Sequence, residues 1–382
     1  MKKTIAAALV FFLVFLCSCS EIEIVELSER LIIETIGIDY ENGIYKVTIE
    51  GLDSFSAGSE SNSISAPSLT KCYLFEGETI GMAMNSISVI TGQIPLFSQA
   101  RILILGYETA KTRLSEVLDF FRREYTTRTD ILLGVAKNTA AEVVSADFGN
   151  NVSAGNVLHA AVSSSRYTGS STYTPLYSFI NSVMGQTDCA YCPVIDISDN
   201  EYSENKKVLL SGTAVFGKNG DSQILSPEQT LGLNIITNQT ENADLTAVTD
   251  KGTATLEIID SKTKLSLSVS AGKATFKLRV SIRCDIPEFQ SEHFKGLSKS
   301  DTEDIARAAA EKLTGIMTYC IEETLYANDY DVFALGRRIN LKDNAFYTNI
   351  INNNVPLSQI CDVEIDTTVE IRRIGKIILD KE

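Results

Sequence analysis

Residues 253–286 have the sequence TATLEIIDSKTKLSLSVSAGKATFKLRVSIRCDI. Apolar and polar side chains alternate along three runs within it, Thr253–Ile259, Thr263–Ser270 and Lys273–Ile286. A period of two is typical of strands that bury one face, and the joints between the runs are very short. The stretch therefore predicts an antiparallel meander.

The residues that follow the meander predict a long helix that covers one face of its sheet. Ser300-Asp301-Thr302-Glu303 matches a capping box and predicts the start of the longest helix, which runs to about Tyr326. Apolar residues recur along one side of this helix: Ile305, Ala309, Leu313, Ile316, Cys320 and Leu325. Cys361–Ile374 alternates again and predicts a final strand. The C-terminal part is thus predicted to be a meander covered on one face by one long helix.

The residues upstream of the meander indicate a second layered unit. Asn42-Gly43 lies between two strand-like runs and predicts a hairpin. Arg101–Gly106 is almost continuously apolar, as buried strands are. Helical spacing surrounds it, in Glu78–Ile90, which Gly92 is placed to end, and in Leu114–Tyr125. Strands that alternate with helices predict an α/β arrangement within this half.

The chain has 382 residues, more than a single hydrophobic core usually supports. The polar stretch Ser198–Lys207 is interpreted as the main linker. It separates an N-terminal domain, residues 19–205, from a C-terminal part, residues 206–382. One further division of the C-terminal part gives a small subdomain, 206–250, and a larger one, 251–382. The predicted fold class is α+β with several domains, in which mixed and antiparallel sheets pack against helices.

The chain begins with MKKTIAAALVFFLVFLCSCS, a basic start followed by an apolar run that is too short to span a bilayer. The residues before Cys19 resemble the lipobox of bacterial lipoproteins, in which the last cysteine is modified with diacylglycerol and becomes the first residue. The resemblance implies a signal peptide at residues 1–18 and lipidation of Cys19. Cys17 fits less well because Leu16 is too large for the position before the cut. The alternative is an ordinary secretory signal that is cut nearby.

The formal net charge is −15. Such a body is repelled by nucleic acid and by anionic lipid, so binding to nucleic acid is not expected. Attachment to a membrane would then depend on a covalent anchor rather than on a basic patch. The acidic excess itself indicates no substrate.

Few residues point to chemistry. Cys189 and Cys192 form a C-x-x-C that suits a disulfide, half a metal site, a redox pair, or structural or free thiols. The chain has only two histidines, His159 and His293, and neither belongs to a Cys/His cluster. No nucleotide-binding, nucleophile-elbow or zinc-protease motif is present. We therefore expect no catalytic residue, no metal site and no cofactor, and a role in binding or structural coupling.

Segments along most of the chain resemble the Ger(x)C spore germination lipoproteins, the C subunits of nutrient germinant receptors. The residues that carry the resemblance are Glu26-Leu27, Arg30, Ile36-Gly37-Ile38-Asp39, Arg101–Gly106, Val117–Phe121, Val135-Ala136-Lys137, Gly212–Phe216 with Leu225, Glu228 and Gly232, and the D-x-F-x-x-G of Asp331, Phe333 and Gly336. The chain departs from the family in having no tryptophan and in its Asn-rich run Asn349–Asn354.

The resemblance implies a lipid-anchored, non-enzymatic subunit beside two integral membrane subunits, of A and B type, at the outer face of the spore inner membrane. It also implies three α+β-type domains and a role in receptor assembly or signal relay. The alternative is a lipid-anchored solute-binding protein that captures a small nutrient between two similar α/β lobes.

Overall fold

The computed structural model describes residues 26, 29–52, 70–124, 126–149, 152–291, 296–375 and 377–378. The predicted signal peptide, Cys19 and His293 lie outside these residues. Within the described ranges the chain forms two sheets with helices packed against them. The predicted α+β class with mixed sheets is confirmed.

The first sheet has nine strands among the described residues, in the order β3-β2-β1-β5-β6-β7-β8-β9, with β4 beside the start of β1. Its strands are β1 (Arg30–Glu41), β2 (Ile44–Leu52), β3 (Thr70–Gly77), β4 (Ile94–Leu96), β5 (Ile102–Gly106), β6 (Leu132–Ala136), β7 (Ala190–Asp199), β8 (Lys206–Phe216) and β9 (Ser222–Leu225). Strands β1, β5, β6 and β7 run parallel, and the flanking pairs are antiparallel.

Helices cover both faces of the parallel strands, which explains their continuous apolar sequences. Leu103 and Leu105 of β5 belong to the core on one face, and Ile102 and Ile104 belong to the core on the other. The α-helices of this half are α1 (Ile80–Thr91), α2 (Tyr107–Arg123), α3 (Ala140–Val144), α4 (Ala154–Ser164) and α5 (Leu176–Met184). Gly92 ends α1 in the left-handed region, with φ 70°, as its position in the sequence predicts.

The second sheet has the order β10-β11-β12-β13-β14. Its strands are β10 (Ala243–Thr249), β11 (Gly252–Ser270), β12 (Lys273–Gln290), β13 (Cys361–Ile374) and β14 (Ile377–Ile378). The helices of this half are α6 (Pro227–Ile236), α7 (Lys299–Ile321), α8 (Leu335–Lys342), α9 (Asn344–Asn352) and α10 (Leu357–Ile360). The long helix α7 shares one buried core with β12, so the predicted covered meander is confirmed.

The strands of the meander differ in one detail from the sequence prediction. The runs 253–259 and 263–270 are one strand, because the register shifts between Ile258 and Asp260 absorb the polar residues as a bulge instead of a turn. The third meander strand is therefore β10.

Helix α7 begins earlier than predicted. Ser298 accepts a hydrogen bond from the Asp301 backbone N–H, and the Asp301 carboxylate accepts one from the Ser298 backbone N–H.

The predicted linker at residues 198–207 is wrong, because this stretch forms the end of the β7–β8 hairpin. Asp199 pairs with Lys206 in the ladder, and their side chains form an ion pair of 2.5 Å. The first sheet consequently continues through position 205/206. Division of the chain into domains at that position stays a prediction.

Candidate functional site

Three buried carboxylates each accept hydrogen bonds from the first N–H groups of a helix. Asp39 of β1 accepts from Ala140 and Ala141, both at 2.9 Å. Glu50 of β2 accepts from Ala154 at 2.7 Å and from Gly155 at 2.8 Å. Because these N–H groups have no partner within the helix, a carboxylate that reaches them fixes the helix against a strand far away in the sequence.

The third carboxylate, Asp331, lies where the two halves of the chain meet. Its carboxylate accepts from Leu335 at 2.7 Å and from Gly336 at 2.8 Å, at the start of α8. Its backbone carbonyl accepts from the N–H of Cys189 at 2.9 Å, just before β7. One residue, 1% exposed, therefore joins α8 to the first sheet.

The residues around Asp331 explain the D-x-F-x-x-G segment. Ala334 adopts a left-handed conformation, with φ 55°, which turns the chain so that the helix points its N–H groups back at Asp331. Phe333 is buried in the core that α7 shares with the second sheet. A Cβ atom on Gly336 would lie 2.2 Å from Oγ1 of Thr187, so α8 packs here without a side chain.

Burial, with a smaller contribution from the nearby Asp188 carboxylate, raises the pKa of Asp331 to about 6, although the two backbone N–H groups act to lower it. Arg337 lies close to Asp188, with 3.7 Å between Nε and Oδ2. Burial also raises the pKa values of Asp39 and Glu50. The junction thus holds a carboxyl group that changes its charge near neutral pH.

A groove of about 550 Å³ runs beside this junction. Tyr330 lines it and donates a hydrogen bond of 2.8 Å to Asp221, and Tyr347 donates one of 3.1 Å to Gln186. The Lys218 ammonium donates to three carbonyl groups at the end of α5, those of Ser182, Val183 and Gly185. The two tyrosine contacts join the halves, whereas the Lys218 contacts lie within the first half beside them. We name the region the Asp331 junction.

The C-x-x-C is part of the hydrophobic interior. Cys189 and Cys192 are free thiols that belong to different cores. Burial raises the pKa of Cys189 to about 12 and also raises the pKa of Cys192. Neither thiol suits redox chemistry at neutral pH, because the thiolate is the reactive form. Cys284 and Cys320 are buried side chains in the core of the second half.

The other candidates are not brought together. His159 lies half-buried on α4, where burial lowers its pKa. Among the residues that the structure describes, no three His, Cys, Asp or Glu side chains are grouped so as to hold a metal ion. Within the same residues, no helix combines the length and apolar character needed to cross a bilayer.

The role of Asp331 could not be predicted from the sequence, although its D-x-F-x-x-G motif is visible there. Asp331 precedes Leu335 by four residues and Gly336 by five. This spacing predicts hydrogen bonds to their N–H groups only when the start of α8 is already known. That start depends on the left-handed Ala334, and alanine gives no sign of that conformation.

Gly336→Ala tests the close packing at the junction. The added Cβ meets three atoms of Thr187 at less than 3.0 Å, so we expect a loss of stability of about 1–3 kcal/mol. Gly315→Ala is the matched control, because Gly315 lies inside α7 with nothing within 4 Å of the added atom. The control should gain up to about 1 kcal/mol through helix propensity. Urea unfolding followed by circular dichroism measures both, and equal effects would contradict the packing argument.

The two sheets, their helices and the hydrogen-bonded junction define a multi-domain α+β protein. Residues 23–197 match the family described as spore germination protein N-terminal domain, and residues 211–375 match the one described as spore germination B3/GerAC like, C-terminal. The chain belongs to the Ger(x)C spore germination family.

The fold is similar to a solved one, titled "Crystal Structure of the GerBC protein". The TM-score is 0.54 at 16% sequence identity, and the alignment covers 88% of this chain and 96% of that one. The likeness therefore extends through both sheets and is one of fold. No curated protein matches the sequence.

Proposed function

We propose that the protein is the lipid-anchored, non-enzymatic C subunit of a spore nutrient germinant receptor. The observation that carries this proposal is the match of both halves of the chain to spore germination domains. The lipobox-like sequence before Cys19 supports attachment through a diacylglycerol on that cysteine. Two acyl chains give stable anchoring, because each buried methylene contributes roughly 0.8 kcal/mol.

In this proposal the protein lies at the outer face of the spore inner membrane beside two integral membrane subunits, of A and B type. It acts there in receptor assembly or in signal relay. The Asp331 junction supports a coupling role, because it ties two sheets together by hydrogen bonds instead of leaving a flexible hinge. The buried thiols of the C-x-x-C favour no reaction.

The alternative of a solute-binding protein fits the architecture less well. It requires two similar lobes around a cleft, whereas one half here has a nine-stranded mixed sheet within the described residues and the other has a five-stranded sheet under one long helix. Calorimetry of the purified protein with amino acids and sugars discriminates the two. We expect no heat of binding, and submicromolar affinity for any of them would favour the alternative.

Spores that lack the protein test the proposal directly. The fall in optical density after addition of amino acid and sugar mixtures reports germination. We expect the response to at least one mixture to be lost and to return when the wild-type chain is restored. An unchanged response to every mixture would contradict the proposed function.

A further inference from the structure

The surface at the end of α1 is unusual for this chain. From Thr79 to Ala100 there is no Asp, Glu, Lys, Arg or His, although 22% of all residues are Asp, Glu, Lys or Arg. Four large apolar side chains of this stretch are exposed: Met82 at 57%, near the start of α1, and Val89 at 84%, Ile90 at 65% and Ile94 at 45%, at and just after its end. We name Val89, Ile90 and Ile94 the α1 patch. Isolated exposed apolar residues are ordinary, but three of them in an uncharged stretch call for a contact.

The α1 patch lies at the edge of the first sheet where the described body begins. Ile94 of β4 pairs with Arg30, the first residue of β1. Strand β3 runs away from this edge, and α1 returns to it, so Val89 and Ile90 near the end of α1 come back beside Ile94. The apolar side chains are therefore placed where the chain enters the fold from its N-terminal segment.

The distance to the proposed anchor is short. Arg30 lies eleven positions after Cys19, and an extended chain spans at most about 3.6 Å per residue. The edge that carries the α1 patch is therefore held within roughly 40 Å of the acyl chains. At this distance the tether raises the local concentration of the membrane, and a patch too small to bind alone becomes effective.

Charge favours the same orientation. The net charge of −15 makes most approaches to an anionic bilayer unfavourable. The three side chains of the α1 patch carry no charge, so they avoid that cost and gain from burial at the boundary between headgroups and acyl chains.

We propose that the α1 patch is a second membrane contact, which rests Val89, Ile90 and Ile94 in the lipid interface and sets the orientation of the body. The inference depends on the proposed lipidation of Cys19. Its ligand is the bilayer surface itself.

The absence of tryptophan from the chain makes a direct test possible. Ile90→Trp places a unique indole in the patch. Tyr202→Trp is the matched control, because Tyr202 is 94% exposed in the turn after β7, at the opposite edge of the parallel strands. The lipidated full chain is reconstituted into phosphatidylcholine vesicles with and without dibrominated acyl chains, which quench indole fluorescence on contact.

We expect at least a twofold loss of fluorescence for Ile90→Trp in brominated vesicles and no loss for Tyr202→Trp. Vesicle-bound protein without quenching at either position would overturn the patch assignment and leave the anchor intact. Failure of the wild-type chain to sediment with vesicles would overturn both. Protection of the Ile90→Trp indole from acrylamide only when the integral membrane subunits are present would assign the patch to a protein partner and overturn the membrane contact.

Discussion

Asp331→Asn is expected to abolish a component of stability that grows as the pH falls. Because the folded-state pKa of Asp331 is raised from 3.8 to about 6, the folded protein binds this proton more tightly than the unfolded chain does. The contribution is fully present below about pH 4 and is lost as the pH rises through about 6. The whole difference corresponds to about 3 kcal/mol.

Urea unfolding at pH 4.5 and pH 7.5 measures this effect. We subtract the free energy of unfolding of Asp331→Asn from that of the wild type. This difference should be about 2 kcal/mol larger at pH 4.5 than at pH 7.5. Asp366→Asn is the control, since Asp366 lies exposed on β13, and its difference from wild type should not change in this way. A stability difference that is the same at both pH values would show that Asp331 is not a buried titrating group.

Asp331→Ala should be damaging at either pH. Alanine leaves the N–H groups of Leu335 and Gly336 without an acceptor in a buried place, and each such loss costs about 1–3 kcal/mol. Alanine keeps the backbone carbonyl that accepts from Cys189, but it frees residue 331 from α8, so hydrogen exchange should quicken at the start of α8 and at Cys189 together. Exchange that quickens at α8 alone would show that the Asp331 side chain does not couple α8 to the first sheet.

Cys19→Ala should release the protein from the membrane, with a loss of partitioning of roughly a thousandfold or more, because the variant has no thiol to carry the two acyl chains of the proposed anchor. Membrane fractionation and immunoblotting measure the bound share. Cys17→Ala is the matched control and should leave attachment unchanged. Membrane attachment that survives Cys19→Ala, or that is lost in Cys17→Ala, would contradict the assignment of Cys19.

The sequence predicts those parts of the fold that depend on local patterns. Gly92 ends α1 because glycine adopts positive φ without cost, and Cys361–Ile374 alternates because one face of β13 is covered. The same local reasoning failed at Asp260, where polar residues look like a turn and form a bulge, and at Ser198–Lys207, where polarity marks a hairpin end.

The remaining features depend on contacts between distant residues. The parallel pairing of β12 with β13 brings Ala274 beside Cys361. No turn sequence connects these two strands directly, so the local sequence does not predict their pairing. Asp331 and Cys189 meet only after both halves have folded. Resemblance supplied the motif around Asp331, but its physical meaning required the direction of the first turn of α8.

The most direct test of the central claim is purification of the tagged, lipidated protein from detergent-solubilised spore inner membranes. If the protein is a germinant receptor subunit, two multi-span membrane proteins should copurify with it in comparable amounts, and both should be lost from the Cys19→Ala sample. Recovery of the intact protein from the wild-type membranes without either partner would contradict the account.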